Sequence, residues 1–230
     1  MRMKMVVLSV AVLLAPLGAR AAMLEPWQVD PARLLPPPPA PGSARAKAEL
    51  DEVKAIMAAR TPAMLEAARH DDGDEKPDMF QAALGPSLDL ARLPATSKVL
   101  DEVAQEEDPG SRPAKDFFHR DRPWVVDPAL TPCVPGKPTQ AHASYPSGHA
   151  TRSYSMGIVL ASLVPSKAQA IMARAAEFAE NRLVCGMHFR SDIVAGQALG
   201  TIIALDLMQN PAFKSDFEAA KAELARVPGR

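Results

Sequence analysis

The chain has 230 residues, a formal net charge of −1 at pH 7, 47% apolar residues and 23% charged ones. That balance excludes a disordered polymer and suits one domain with a real core. There is no basic block and no aromatic–basic interleaving, which sets aside a nucleic-acid polymer as partner.

Taken in chain order, residues 1–21 read as a secretory signal peptide. Arg2 and Lys4 form a basic lead, residues 5–17 are apolar apart from Ser9 and Pro16, and Ala19-Arg20-Ala21 offers small residues at a cleavage site. The apolar run falls short of the roughly 20 residues that span a bilayer. Residues 22–42 form a proline-rich arm in which Pro36 to Pro39 favour extended backbone on the surface. Residues 43–230 are expected to form a helical domain.

Ser43 predicts an N-cap for a helix over 44–59, and Thr61-Pro62 restarts a helix to about Arg69. A polar loop is expected over 70–77 with Gly73 at its turn. Short helices follow over 77–84 and 96–106. Pro109-Gly110-Ser111 is expected to break the second, with a new helix over 115–119 ended by Arg122-Pro123. A proline-punctuated loop leads to Pro146. Helices are then predicted over 147–164, 167–184 and 190–208, and a last one opens at Asn210-Pro211 and runs to Ala225. No alternating strand pattern recurs, so the fold class is all-α, a single-domain bundle.

Two cysteines, Cys133 and Cys185, stand in a chain expected in an oxidising compartment. A single disulfide is the natural reading, worth about 4 kcal/mol in the chain-entropy account; two buried thiols are the alternative.

Three cationic blocks carry chemistry. The first, Lys115-x6-Arg122-Pro123, places two cations seven residues apart, about two helical turns. The second, Pro146-Ser147-Gly148-His149, opens a helix whose free amides and dipole suit an anion. The third, Arg182-x5-His188-x3-Asp192, holds a histidine and a carboxylate at i, i+4, so Asp192 can fix the imidazole tautomer. Each block alone fits an ordinary helix: a solvated basic face, a capped start, a surface His–Asp pair. Together they offer cations for phosphate oxygens, one imidazole to attack and another to protonate a leaving group. No further His or Cys stands at metal-ligand spacing, and the acids elsewhere read as solvated helix faces.

In KDFFHRDRP, SYPSGH and NRLVCGMHFRSD the chain resembles the class A bacterial non-specific acid phosphatases of the type 2 phosphatidic acid phosphatase superfamily. The likeness extends to LLPPPP, both cysteines and NPAF. It implies a helical bundle of the kind shared with vanadium haloperoxidases. His188 would be the nucleophile, held by Asp192, with His149 as acid and then base. Lys115, Arg122, Ser147, Gly148 and Arg182 would bind phosphate. It further implies small phosphate monoesters as substrates, no cofactor or metal, a periplasmic or secreted location away from the membrane, and leaves self-association open. A haloperoxidase-like enzyme and a non-catalytic phosphate binder are the alternatives. Two positions depart from the pattern: Asn181 stands where the family has Ser, and Ala150 where class A members usually have Thr.

Overall fold

The computed structural model describes residues 23–26 and 28–227; the expected signal peptide lies outside them. Every regular element among the described residues is helical. In chain order they are α1 (Pro31–Leu34), α2 (Ala44–Ala59), α3 (Pro62–Gly73), α4 (Gln81–Leu84), α5 (Pro94–Gln105) and α6 (Glu107–Phe118). There follow α7 (Pro123–Val126), α8 (Gly148–Leu163), α9 (Ala168–Val184), α10 (Arg190–Leu207) and α11 (Pro211–Leu224).

The caps are those the sequence announces. Ser43 accepts from the Ala46 amide at 3.2 Å, Thr61 from Met64 at 3.2 Å, and Asn210 from Ala212 and Phe213. Each satisfies a donor that the first helical turn leaves unpaired.

Three local expectations are corrected. Pro109-Gly110-Ser111 does not break a helix; α6 begins at Glu107 and runs through them. Pro109 sits in the first turn, where its missing N–H costs no intrahelical bond. The helix then ends at Phe118, before Arg122-Pro123, with His119 left-handed at φ 44°. Arg122 therefore caps the short α7, and it shares no helix face with Lys115. Finally, α3 continues past Arg69 to Gly73, because Asp71 is pinned from another helix: Arg174 donates to both its oxygens at 2.6 and 3.0 Å.

The core lies between α8 and its neighbours. Met156, Val159, Leu160 and Leu163 of α8 meet Ile171, Ala175 and Phe178 of α9 and Leu199, Ile203 and Leu207 of α10. Val99, Leu100 and Val103 of α5 and Phe213 and Leu224 of α11 close the other side. The proline-rich stretch is anchored to this core, since Leu24, Val29 and Leu35 are buried in it and Tyr145 donates to the Pro36 carbonyl.

Helices α8 and α10 make the most extensive contact. Gly200 allows it: a Cβ there would lie 2.3 Å from the Thr151 carbonyl oxygen, which is backbone and cannot turn aside. Gly200→Ala is expected to force the pair apart and cost about 1–3 kcal/mol, the scale of an overpacked core. A thermal melt checks this, and an unchanged Tm would contradict it.

Cys133 and Cys185 are disulfide-bonded, with Cα atoms 4.6 Å apart. The bridge ties the loop ahead of α8 to the end of α9. The Cys133 amide adds a hydrogen bond to the Cys185 carbonyl at 2.8 Å.

Candidate active site

The α8–α10 contact joins the second and third blocks. Ser147 caps α8 through its side chain, accepting from the Ala150 amide, and its own amide donates to the Asp192 carbonyl at 3.0 Å. Its side chain is fully buried in that role. Gly148 lines the cavity in front of it. A Cβ at 148 would meet Glu107 Oε1 at 2.6 Å and Lys115 Nζ at 3.0 Å, so a side chain there would displace both of these charged ends.

That cavity, about 710 Å³, is lined by Lys115, Arg122, Gly148, His149, Arg182 and His188, together with Asp72, Glu75, Glu107 and Arg152. All three sequence blocks thus reach one hollow. Asp192 stands behind it, under His188, with no exposed surface.

His188 is held on both ring nitrogens. Nδ1 lies 3.4 Å from Asp192 Oδ2, and Arg122 Nη1 lies 3.1 Å from Nε2. A guanidinium only donates, so Nε2 is the acceptor and the proton sits on Nδ1, toward the carboxylate. Burial, then Arg122 and Arg182, push this imidazole well below its ordinary pKa. His188 is neutral, with its lone pair at the cavity.

Asp192 is itself fixed by three donors besides the imidazole. The Phe189 amide and Ser144 Oγ reach Oδ2 at 2.8 and 2.7 Å, and Arg120 Nη1 reaches Oδ1 at 2.6 Å. Burial pushes the carboxyl up to about 6, against the pull of Arg120 and these hydrogen bonds.

The cations are buried and partly unspent. Arg122 is tied to the Gln140, Met187 and Ala143 carbonyls at 2.9–3.1 Å, which fixes its plane; burial and then Arg182 bring its pKa down to about 10. Burial also lowers Lys115. Arg182 Nη1 lies 2.7 Å from Asp72 Oδ1, out of line for a hydrogen bond. Its Nε, fully buried, has no hydrogen-bond partner among the described residues. Such a donor is costly unless a ligand completes it.

His149 stacks on Phe178, ring centroids 5.6 Å apart, and its Nε2 lies 2.9 Å from Glu75 Oε1. Burial and Arg182 lower this imidazole, and Glu75 opposes them.

Asn181, the departure from the family pattern, is turned away from the cavity. Its Nδ2 donates to Asp71 Oδ2 at 2.7 Å within the Arg174 pair. Asp71 and Glu107, among the acids read from sequence as solvated, are in fact largely buried and paired, as is Arg120. Their partners lie up to 110 residues away, as Asn181 does from Asp71, so no local spacing could have flagged them. Among the described residues no group of three or more His, Cys, Asp or Glu side chains is placed to hold a metal ion.

The described residues thus form an all-α bundle with buried cations and two imidazoles around one hollow. The chain belongs to the PAP2 superfamily, whose sequence profile matches residues 96–215. It is 32% identical over 149 residues to an acid phosphatase of Zymomonas mobilis, covering 64% of this chain and 56% of that protein. The chain thus spans little more than half the length of that relative. A non-specific acid phosphatase of Providencia stuartii is 27% identical over 216 residues, 86% of this chain and 82% of its own. The fold is also that of a transmembrane PAP2 type phosphatidylglycerolphosphate phosphatase from Bacillus subtilis. There the TM-score is 0.53 at 18% identity, covering 78% of this chain and 89% of that one. Among the described residues no single helix is long and apolar enough to cross a membrane.

Proposed function

We propose that the protein is an acid phosphatase that hydrolyses small phosphate monoesters through a phosphohistidine intermediate, without a metal, after export to the periplasm or beyond the cell. One observation supports this above the rest: both imidazoles and the cations Lys115, Arg122 and Arg182 line the same cavity. The relatives named acid phosphatase support the reaction class. The leader-like N-terminus and the disulfide support export.

In this reading His188 Nε2 attacks phosphorus as the ester P–O bond breaks, and the leaving oxygen takes the proton of His149. Water then attacks the phosphohistidine, giving its proton to His149 and freeing His188. Lys115, Arg122, Arg182 and the Gly148 amide hold the oxygens. Each cation within about 4 Å contributes about 4 kcal/mol at an intermediate dielectric. Ser147 supports this cradle as the cap that holds the start of α8.

The pH dependence follows from the two histidines. His188 stays neutral into the acid range because its pKa is depressed, whereas His149 must carry a proton at the start. His149 is also depressed, so protonated enzyme is lost as pH rises through a value below that of free imidazole. The expected kcat/KM, corrected for the ester's own ionisation, falls on an alkaline limb below about pH 6.5. The test is a panel of aryl, nucleotide and sugar phosphates assayed with EDTA across pH. Release of phosphate from several members at acidic pH is expected. No release, or release abolished by EDTA, would overturn the reading.

A further inference from the structure

The segment between α3 and the single turn at Pro77–Phe80 has no part in the phosphate cradle, yet it delivers a carboxylate to the proton donor. Glu75 Oε1 lies 2.9 Å from His149 Nε2, and Glu75 Oε2 lies 3.5 Å from Arg152 Nε. The segment is fixed at both ends. Upstream, Asp71 is held by Arg174 and Asn181; downstream, Arg174 Nε donates to the Met79 carbonyl at 3.1 Å. One guanidinium therefore clamps both ends of the segment. Asn181, where the family pattern has serine, braces its upstream end.

We propose that Glu75 is a positioning residue: its carboxylate holds His149 protonated in the empty cavity, with the Nε2 hydrogen aimed where the ester oxygen arrives. The inference rests on the reading of His149 as proton donor. Ring stacking on Phe178 fixes the plane of the imidazole. Its Nε2 lies 2.9 Å from the Glu75 carboxylate and 3.4 Å from the Asp72 carbonyl, and the leaving oxygen must reach the same nitrogen. The side chain is about a third exposed, 36%, and so has room to swing aside.

The surroundings make such a partner necessary. On its own helix His149 has Arg152 nearby; α9 brings Arg182, and α6 brings Lys115 against Gly148. His188 faces the same cavity and is neutral. Opposing them are Asp72 from the end of α3, spent on Arg182, and Glu107 from α6, spent on Arg152 and Ser111. Glu75 is the carboxylate in contact with the ring. Burial would raise this carboxyl, but His149, Arg152 and Arg182 bring it down to about 2, so it is ionised throughout the working range. Removing its charge destabilises the imidazolium, lowers the His149 pKa and moves the alkaline limb to lower pH.

The test is Glu75→Gln, with Glu75→Ala as a second variant and Asp78→Asn as a control for one lost charge on the neighbouring turn. The expected result is an alkaline limb of kcat/KM lower by about one pH unit in both Glu75 variants, the scale of one close opposite charge. The limb of kcat should move less, because the ester oxygen has then displaced Glu75. Above the limb, kcat/KM should fall about tenfold. In parallel, NMR titration of the histidine Cε1 signals in the unliganded protein should show His149 titrating about one unit lower. That second readout needs no turnover. If the wild type hydrolyses no ester, the phosphatase reading fails while the titration still decides on Glu75. A uniform loss of activity with an unmoved limb and titration, or an equal shift in Asp78→Asn, would overturn the proposal.

Discussion

Replacing His188 with alanine is expected to leave under about a hundredth of wild-type kcat on an aryl phosphate, the scale of losing an attacking group. The expectation rests on how completely this imidazole is committed. Its Nδ1 faces Asp192, its Nε2 faces Arg122 and the cavity, and burial among cations keeps it neutral. His149, the other imidazole lining the cavity, has its Nε2 beside the Glu75 carboxylate instead of a guanidinium. Melting the variant alongside the assay separates lost chemistry from lost folding. An aryl ester is the right probe because its leaving group needs little help, so the loss reports on attack alone. Rapid acid-free quenching of the wild type should also trap a phosphoryl group on the protein that His188→Ala lacks. Near-normal turnover by the variant would remove His188 as nucleophile.

The second large effect concerns the proton donor. His149→Asn is expected to slow hydrolysis of an alkyl phosphate by about 10²–10⁴-fold, the range of general acid catalysis. On a nitrophenyl ester the loss should be much smaller, since that leaving group departs without a proton. Asparagine can still accept the stacking position on Phe178 and donate a neutral hydrogen bond, but it has no proton to give up. The ratio of the two losses is therefore the informative quantity. Equal losses on both esters would mean that His149 acts only in binding. Slow loss of the phosphoryl group from the same variant would mark its second role, activating water.

The contrast between His149 and His188 shows what neighbours do to two side chains of the same type. Both are pushed down by burial and by Arg182. His149 Nε2 lies against a carboxylate, Glu75, whereas His188 Nε2 meets a guanidinium. Asp192 reaches His188 from the opposite nitrogen and is already shared with Arg120 and Ser144. The two imidazoles thereby stand in different electrostatic surroundings, as the proposed division into attacking group and proton donor requires.

Much of this was legible in the chain. Ser43, Thr61, Ser147 and Asn210 start helices wherever a short oxygen side chain precedes an apolar period, because the capping bond is local. The all-α class and the late helices follow from the same short-range rules. The three blocks carry the residue types of oxyanion chemistry, and they do line one cavity. Less legible was the stretch from Pro109 to Arg122, where proline near a helix start was read as a stop. The physical reason is positional for Pro109, which in the first turn costs no intrahelical bond, and α6 also carries Pro113 in its interior without ending there.

By itself, the sequence determined the helices, their caps and the kinds of group available for catalysis, since these depend on neighbours within a turn or two. The tertiary structure alone decided which of those groups meet. Arg120 reaches Asp192 across 72 positions and Arg174 reaches Asp71 across 103. His149 receives Glu75, a residue that looked like part of a solvated loop, from a segment braced by the same Arg174. Side-chain partners so far apart in the chain are set by how whole helices pack, through contacts such as Gly200 against the Thr151 carbonyl. Spacing along the backbone holds no record of that packing, and the charge state of each histidine depends on it.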